Sequence, residues 1–190
     1  GFAYHYGADG QPTTGALSSV YTLSVSSSGV DSGLDDVATG ENVLLYMNGS
    51  TVEGRISSGA VVFTVSVDGD GTVTLDQQRA VEHADGTNPD DAVGLASADL
   101  IQLTREDTIT DRDGDTDVES LTLNLGGALS FEDDGPAITA TAASLLVADG
   151  LVVDETELGT NASAEFADNF DAGFAYHYGA DGQPTTGALS

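Results

Sequence analysis

The sequence has no cysteine, no lysine and no tryptophan, and a single methionine. Without cysteine there are no disulfides, thiolate zinc sites or cysteine nucleophiles. Nothing covalent staples the fold, so bound metal is its more natural reinforcement. Basic side chains are almost missing as well. Arg55, Arg79, Arg105 and Arg112 face 32 acidic residues, and the formal net charge is −28. Such a chain repels DNA, RNA and anionic lipid heads, which excludes nucleic-acid and membrane-surface roles. No apolar run reaches the roughly 20 residues of a membrane-spanning helix, so direct membrane insertion is not expected. No signal-peptide pattern stands at Gly1. Catalytic signatures are absent too: there is no Gly-x-Ser-x-Gly elbow, phosphate loop or HExxH pair. Aromatic residues are only 6%, too few for the platforms of a sugar cleft, and an enzyme is not expected.

What is present argues for a folded protein. Hydrophobic residues make up 39%, and they recur in Val, Leu, Ile, Phe and Tyr runs that disordered acidic chains lack. A folded chain this acidic repels itself unless cations or high salt neutralise it. Both conditions suit an extracellular setting.

The chain also repeats itself. Residues 1–18, GFAYHYGADGQPTTGALS, recur letter for letter at 173–190, an offset of 173 − 1 = 172. The identity predicts one 172-residue period of a tandem array plus the start of the next copy. That period far exceeds the roughly 20–50 residues of solenoid repeats. Each period must therefore carry its own core, and near-identical large domains in series serve length or valency. Neighbouring identical repeats are the expected partners.

Apolar residues alternate with Thr and Ser at period 2, the pattern of half-buried antiparallel strands. Examples are Tyr21-Leu23-Val25, Val61-Phe63-Val65-Val67, Leu121-Leu123-Leu125 and Phe174-Tyr176-Tyr178. Ser32-Gly33, Asn48-Gly49, Asp68-Gly69-Asp70-Gly71 and Asp149-Gly150 supply turn residues between runs. Short strands at regular spacing predict an all-β antiparallel β-sandwich, immunoglobulin-like or related, and the acidity without disulfides makes calcium its expected stabiliser. Only Asp91–Leu100 has room for a helical turn or two.

Two acidic clusters are the candidate metal sites. The first is Asp111-Arg112-Asp113-Gly114-Asp115-Thr116-Asp117. Carboxylates this close repel one another unless a cation sits among them, and Ca²⁺ takes six to eight oxygens. It is not an EF-hand: counting from Asp111, glycine falls fourth and Thr122 stands twelfth. The second is Glu132-Asp133-Asp134, beside Gly135-Pro136, where proline ends ladder pairing and a cation would stiffen a junction. An acidic solvated turn and a charged linker are the respective alternatives. Asp68 with Asp70, and Asp149 with Asp154 and Glu155, are weaker candidates, the first pair being ordinary turn residues as well. His5, its copy His177, and His83 read as structural side chains, His83 in a salt bridge or hydrogen bond.

Several tokens in order carry a family resemblance: Ser32-Gly33-Leu34, Arg79-Ala80-Val81-Glu82-His83, Asp111-Arg112-Asp113-Gly114-Asp115, Phe131-Glu132-Asp133-Asp134-Gly135-Pro136 and Tyr178-Gly179-Ala180-Asp181-Gly182. Together they resemble the long repeats of giant RTX-type adhesins exported by type I secretion in Gram-negative bacteria. Val152-Val153-Asp154-Glu155 resembles the opening of such a repeat. The resemblance implies calcium-rigidified β-sandwich extender domains, secreted to the cell surface, that hold a distal binding domain away from the cell for attachment or biofilm formation. The distal ligand is not readable. The glycine-rich RTX nonapeptide is absent. The frame it implies puts most of one repeat domain in 1–134, an acidic, proline-containing junction at 135–139 and the start of the next repeat in 140–190. The competing reading is an adhesive module that binds glycan or cell surface through many weak copies, with Tyr4, Tyr6 and Tyr46 as candidate contacts.

Overall fold

A computed structural model describes residues 1–86, 88, 90–140, 156, 161, 163, 174–180 and 182. The chain divides into two compact units, Gly1–Asp133 and Asp134–Ser190.

In the first unit the alternating runs become strands: β1 (Leu17–Val25), β2 (Val30–Asp36), β3 (Glu41–Asn48), β4 (Thr51–Arg55), β5 (Val61–Val67), β6 (Val73–Gln77), β7 (Ala92–Gly94), β8 (Ile101–Thr110), β9 (Thr116–Asn124) and β10 (Ser130–Glu132). Strands β2 to β6 follow one another as an antiparallel meander in a five-stranded sheet. β1, β8 and β9 form a second antiparallel sheet in that order, and β7 pairs with β10. Strand β1 packs across β3, β4 and β5. The fold is therefore all-β and sandwich-like.

The core lies between the sheets. Val43, Leu45, Val52, Phe63 and Val65 from the meander meet Leu23 and Ile101 from the other sheet and Leu125 just past β9. Phe131 caps the cluster, its ring tilted 59° against Phe63 with centroids 5.0 Å apart. Aromatic pairs favour this tilted arrangement.

Three local expectations change. Ser32-Gly33 is not a hairpin turn but an irregularity inside β2, where the register with β3 shifts between Asp31 and Asp35. Gly33 has φ +80°, and an added Cβ would stand 2.6 Å from Ala96 Cβ, so both conformation and space demand glycine. Asp91–Leu100 holds β7 and a single 3-10 turn at Ala98–Leu100, because Ala92–Gly94 is recruited to pair with Ser130–Glu132. The third change is at β9. Leu121 and Leu123 alternate as a core-facing strand should, yet they are 53% and 61% exposed.

In the second unit the described strands are β11 (Ala137–Ala140) and β12 (Phe174–His177), an antiparallel pair. Among the described residues, no helix is long and apolar enough to cross a membrane.

Candidate cation site

The β8–β9 connection is built by Asp111. Its backbone N–H donates to the Asp115 carbonyl at 2.9 Å. Its Oδ1 accepts the N–H groups of Gly114 at 3.1 Å and Asp115 at 2.9 Å. Gly114, at φ +102°, makes the sharp reversal. The turn is then tied to the N-terminal loop by the Arg112 N–H, which donates to the Gly10 carbonyl at 3.2 Å.

That tie delivers a residue that the local sequence pattern does not point to. Asp9 joins Asp111 and Asp113, and one carboxylate oxygen from each lies within 4.8 Å of the others. Asp113 and Asp9 are exposed and Asp111 is half-buried. Asp113 is raised above the ordinary carboxylate range by its hydrogen bond to Asp111, then by the negative charges of Asp111, Asp115 and Asp9. Asp111 is lowered, chiefly by accepting that bond and then by the backbone N–H groups it holds.

The oxygen spacing can be tested against ions. Ca²⁺ binds oxygens at about 2.3–2.6 Å, so ligands around it spread up to about 5 Å apart. Mg²⁺ at about 2.0–2.1 Å requires a tighter shell, no wider than about 4.2 Å. The three oxygens lie within 4.8 Å of one another, inside the span a Ca²⁺ shell allows.

The other predicted ligands are placed differently. Asp115 and Asp117 line an adjoining groove with His5, Tyr6, Gly7 and Asp111. Asp117 also accepts the Val118 N–H at 3.1 Å. Glu132 is exposed at the end of β10, and the Asp133 N–H donates to the Asp91 carbonyl at 2.8 Å. Asp134 is exposed. Among the described residues, the only close group of three donors is that of Asp9, Asp111 and Asp113. Asp149, Asp154 and Glu155 lie outside the described residues. Asp68 does ordinary turn work: its Oδ1 accepts the Asp70 and Thr72 N–H groups at 3.0 and 2.8 Å.

A family model matches residues 1–125, and its description is a domain of unknown function, DUF5801. The chain belongs to the DUF5801 family. The match spans both acidic loops that meet at the candidate site. No curated protein and no solved structure matched the chain.

The DUF5801 domain also reserves its few cations for buried carboxylates. Arg79 donates from Nε and Nη2 to the two oxygens of fully buried Asp36, at 2.7 and 2.8 Å. Arg105 grips Asp107 likewise, at 2.8 Å for each contact, and Tyr4 donates its hydroxyl to the same carboxylate. Arg55 pairs with Glu53. Two of these pairs stand at i and i+2 on one strand, where alternate side chains share a face. That signal was available in Glu53-Gly54-Arg55 and Arg105-Glu106-Asp107. His83 has no ion pair among the described residues, and its buried Nδ1 has no hydrogen-bond partner there.

Proposed function

We propose that this DUF5801 chain is a structural extender repeat of a large secreted RTX-type bacterial surface adhesin, stiffened by calcium. The carrying observation is that two loops about a hundred residues apart in sequence bring Asp9, Asp111 and Asp113 to one point. A chain with a net charge of −28 gains stability wherever a cation neutralises such a meeting. In this reading calcium pins the N-terminal loop to the β8–β9 turn and stops the two from moving apart. The 172-residue identity supports an array of such domains.

The aromatic side chains support a spacer over a glycan-binding module. Tyr4 is bound to Asp107. Tyr46 lies under the Arg55 guanidinium, 5.7 Å from ring centroid to carbon. These contacts already engage the hydroxyl of Tyr4 and one side of the Tyr46 ring.

Calorimetric titration tests the site. Asp9→Asn and Asp113→Asn are expected to weaken calcium binding by roughly tenfold or more, since ligand charge sets affinity. Asp68→Asn should leave it unchanged. Equal calcium affinity in all three variants would refute the assignment.

A further inference from the structure

The repeated segment allows one sequence to be compared in two settings. Phe174–His177 forms β12, paired with β11 in the register Ala137↔His177, Ile138↔Tyr176, Thr139↔Ala175 and Ala140↔Phe174. Phe2–His5 has the same four residues. The local geometry is also shared. The Phe2 and Tyr4 rings stack at 6.3 Å, as do those of Phe174 and Tyr176. His5 Nδ1 accepts the Gly7 N–H at 3.2 Å, and His177 Nδ1 accepts the Gly179 N–H at 3.2 Å. Only the pairing differs: Phe2–His5 makes no backbone hydrogen bond to any other described residue.

The surroundings are complementary. Phe2 and Tyr4 sit over the inner face of the β1–β8–β9 sheet. Arg105 lies 5.1 Å from the Phe2 ring centroid, and Tyr4 reaches Asp107. Beside them an apolar groove is lined by Phe2, Tyr4, Tyr21, Leu103, Leu121 and Leu123. On β11 and β12 the situation is reversed. Ile138 stands opposite Tyr176, and both are exposed, at 63% and 45%. One surface has an apolar floor and a segment, Phe2–His5, without a backbone hydrogen bond among the described residues. The other has the pairing strand and an exposed apolar side chain, Ile138.

We infer that the groove beside Phe2–His5 is the docking site for strand β11 of a second copy of this chain. The incoming strand pairs in the register already seen: Ala137↔His5, Ile138↔Tyr4, Thr139↔Ala3 and Ala140↔Phe2. Strand pairing puts opposite residues on one face. Ile138 therefore points where Tyr4 points, into the groove above Leu121 and Leu123. In an array the donor is the neighbouring period, so each sandwich is closed by a strand from across the period boundary. The inference rests on the array reading but not on calcium.

The test uses the full chain with the paired substitutions Ala3→Cys and Thr139→Cys, unfolded and refolded at increasing concentration in chelator, then oxidised. Directly opposed strand residues lie within disulfide reach. The expected result is a shift of the main species from monomer to disulfide-linked dimers and longer chains as concentration rises. Two further variants fix its meaning. At low concentration, where β11 keeps its own β12, Thr139→Cys with Ala175→Cys should close within one molecule, reporting the β11–β12 register. Ala3→Cys with Ser24→Cys, whose second cysteine is exposed on β1, should stay monomeric. Monomers of the first variant, whether reduced or internally bridged, overturn the proposal. So does failure of the second variant to close at low concentration, or equal cross-linking of the third. Because the test is run in chelator, its failure is separate from failure of the calcium site.

Discussion

Gly54 is a severe test of the packing between β4 and β5. It stands in register with Phe63, whose ring packs against it. A Cβ added at Gly54 would be 2.4 Å from Phe63 Cε1, 2.7 Å from Cδ1 and 2.9 Å from Cζ. Carbon atoms prefer about 3.5–4.0 Å, so the ring must retreat by about 1 Å. It has nowhere to go, because Phe63 is fully buried and already packed on Phe131. Two effects oppose each other in Gly54→Ala. Restricting the unfolded chain favours the variant by about 0.4–1 kcal/mol. Overpacking a filled core costs about 1–3 kcal/mol. Overpacking wins, for a net loss of about 1–2 kcal/mol, or roughly 3–8 °C in Tm for a unit of this size. Phe63→Leu alone is destabilising as well, but it removes the clash. The double variant should therefore be more stable than the sum of the two losses, with a coupling of about 0.5–3 kcal/mol. Thermal melts and urea titrations of the four proteins measure the cycle. A Tm for Gly54→Ala equal to or above wild type, or strictly additive losses, would refute the argument.

Two further outcomes follow from the ion pairs. Asp36→Asn leaves the Arg79 guanidinium facing a neutral amide beside the core and should cost about 2–3 kcal/mol, allowing for the partial exposure of Arg79; an unchanged urea midpoint would contradict this. Asp107 is held down to about 2 by the Arg105 guanidinium, Asp36 is lowered by Arg79, and Glu53 is lowered first by Asn48. Unfolded carboxylates titrate near about pH 4, so the unfolded chain binds more protons below that value. These groups stabilise the fold above about pH 4, and that stability is lost as the pH falls toward about 2. A urea midpoint that stays flat between those values would show that the pairs contribute nothing.

The strands were legible because Val, Thr, Ser and Leu alternate where one face is wet and the other dry, as in β1 and β5. Two features escaped this reading. Ser32-Gly33 has the composition of a turn, but its role is set by Ala96, which approaches from 63 residues further along the chain (96 − 33 = 63). Leu121 and Leu123 have the period of core residues, but alternation tells which face a side chain takes and not whether anything covers that face. The acidic turn at Asp111–Asp117 was visible as clustered charge. Asp9 was not, because Gly7-Ala8-Asp9-Gly10 has the composition of an ordinary loop and only tertiary folding carries it to Asp111. Arg105 and Asp107 were passed over although their i, i+2 spacing marks a pair on one strand face.

The central claim is that calcium holds this domain together, and a melt of the 190-residue chain in calcium and in chelator tests it most directly. Extracellular calcium modules bind at about 10⁻⁴–10⁻³ M. At a hundredfold excess over Kd, one site adds about 2.7 kcal/mol, which is roughly 10 °C in Tm for a domain of this size. A rise of that order is expected in calcium, with little rise in magnesium, whose smaller shell is more rigid. The same Tm in saturating calcium and in excess chelator would contradict it.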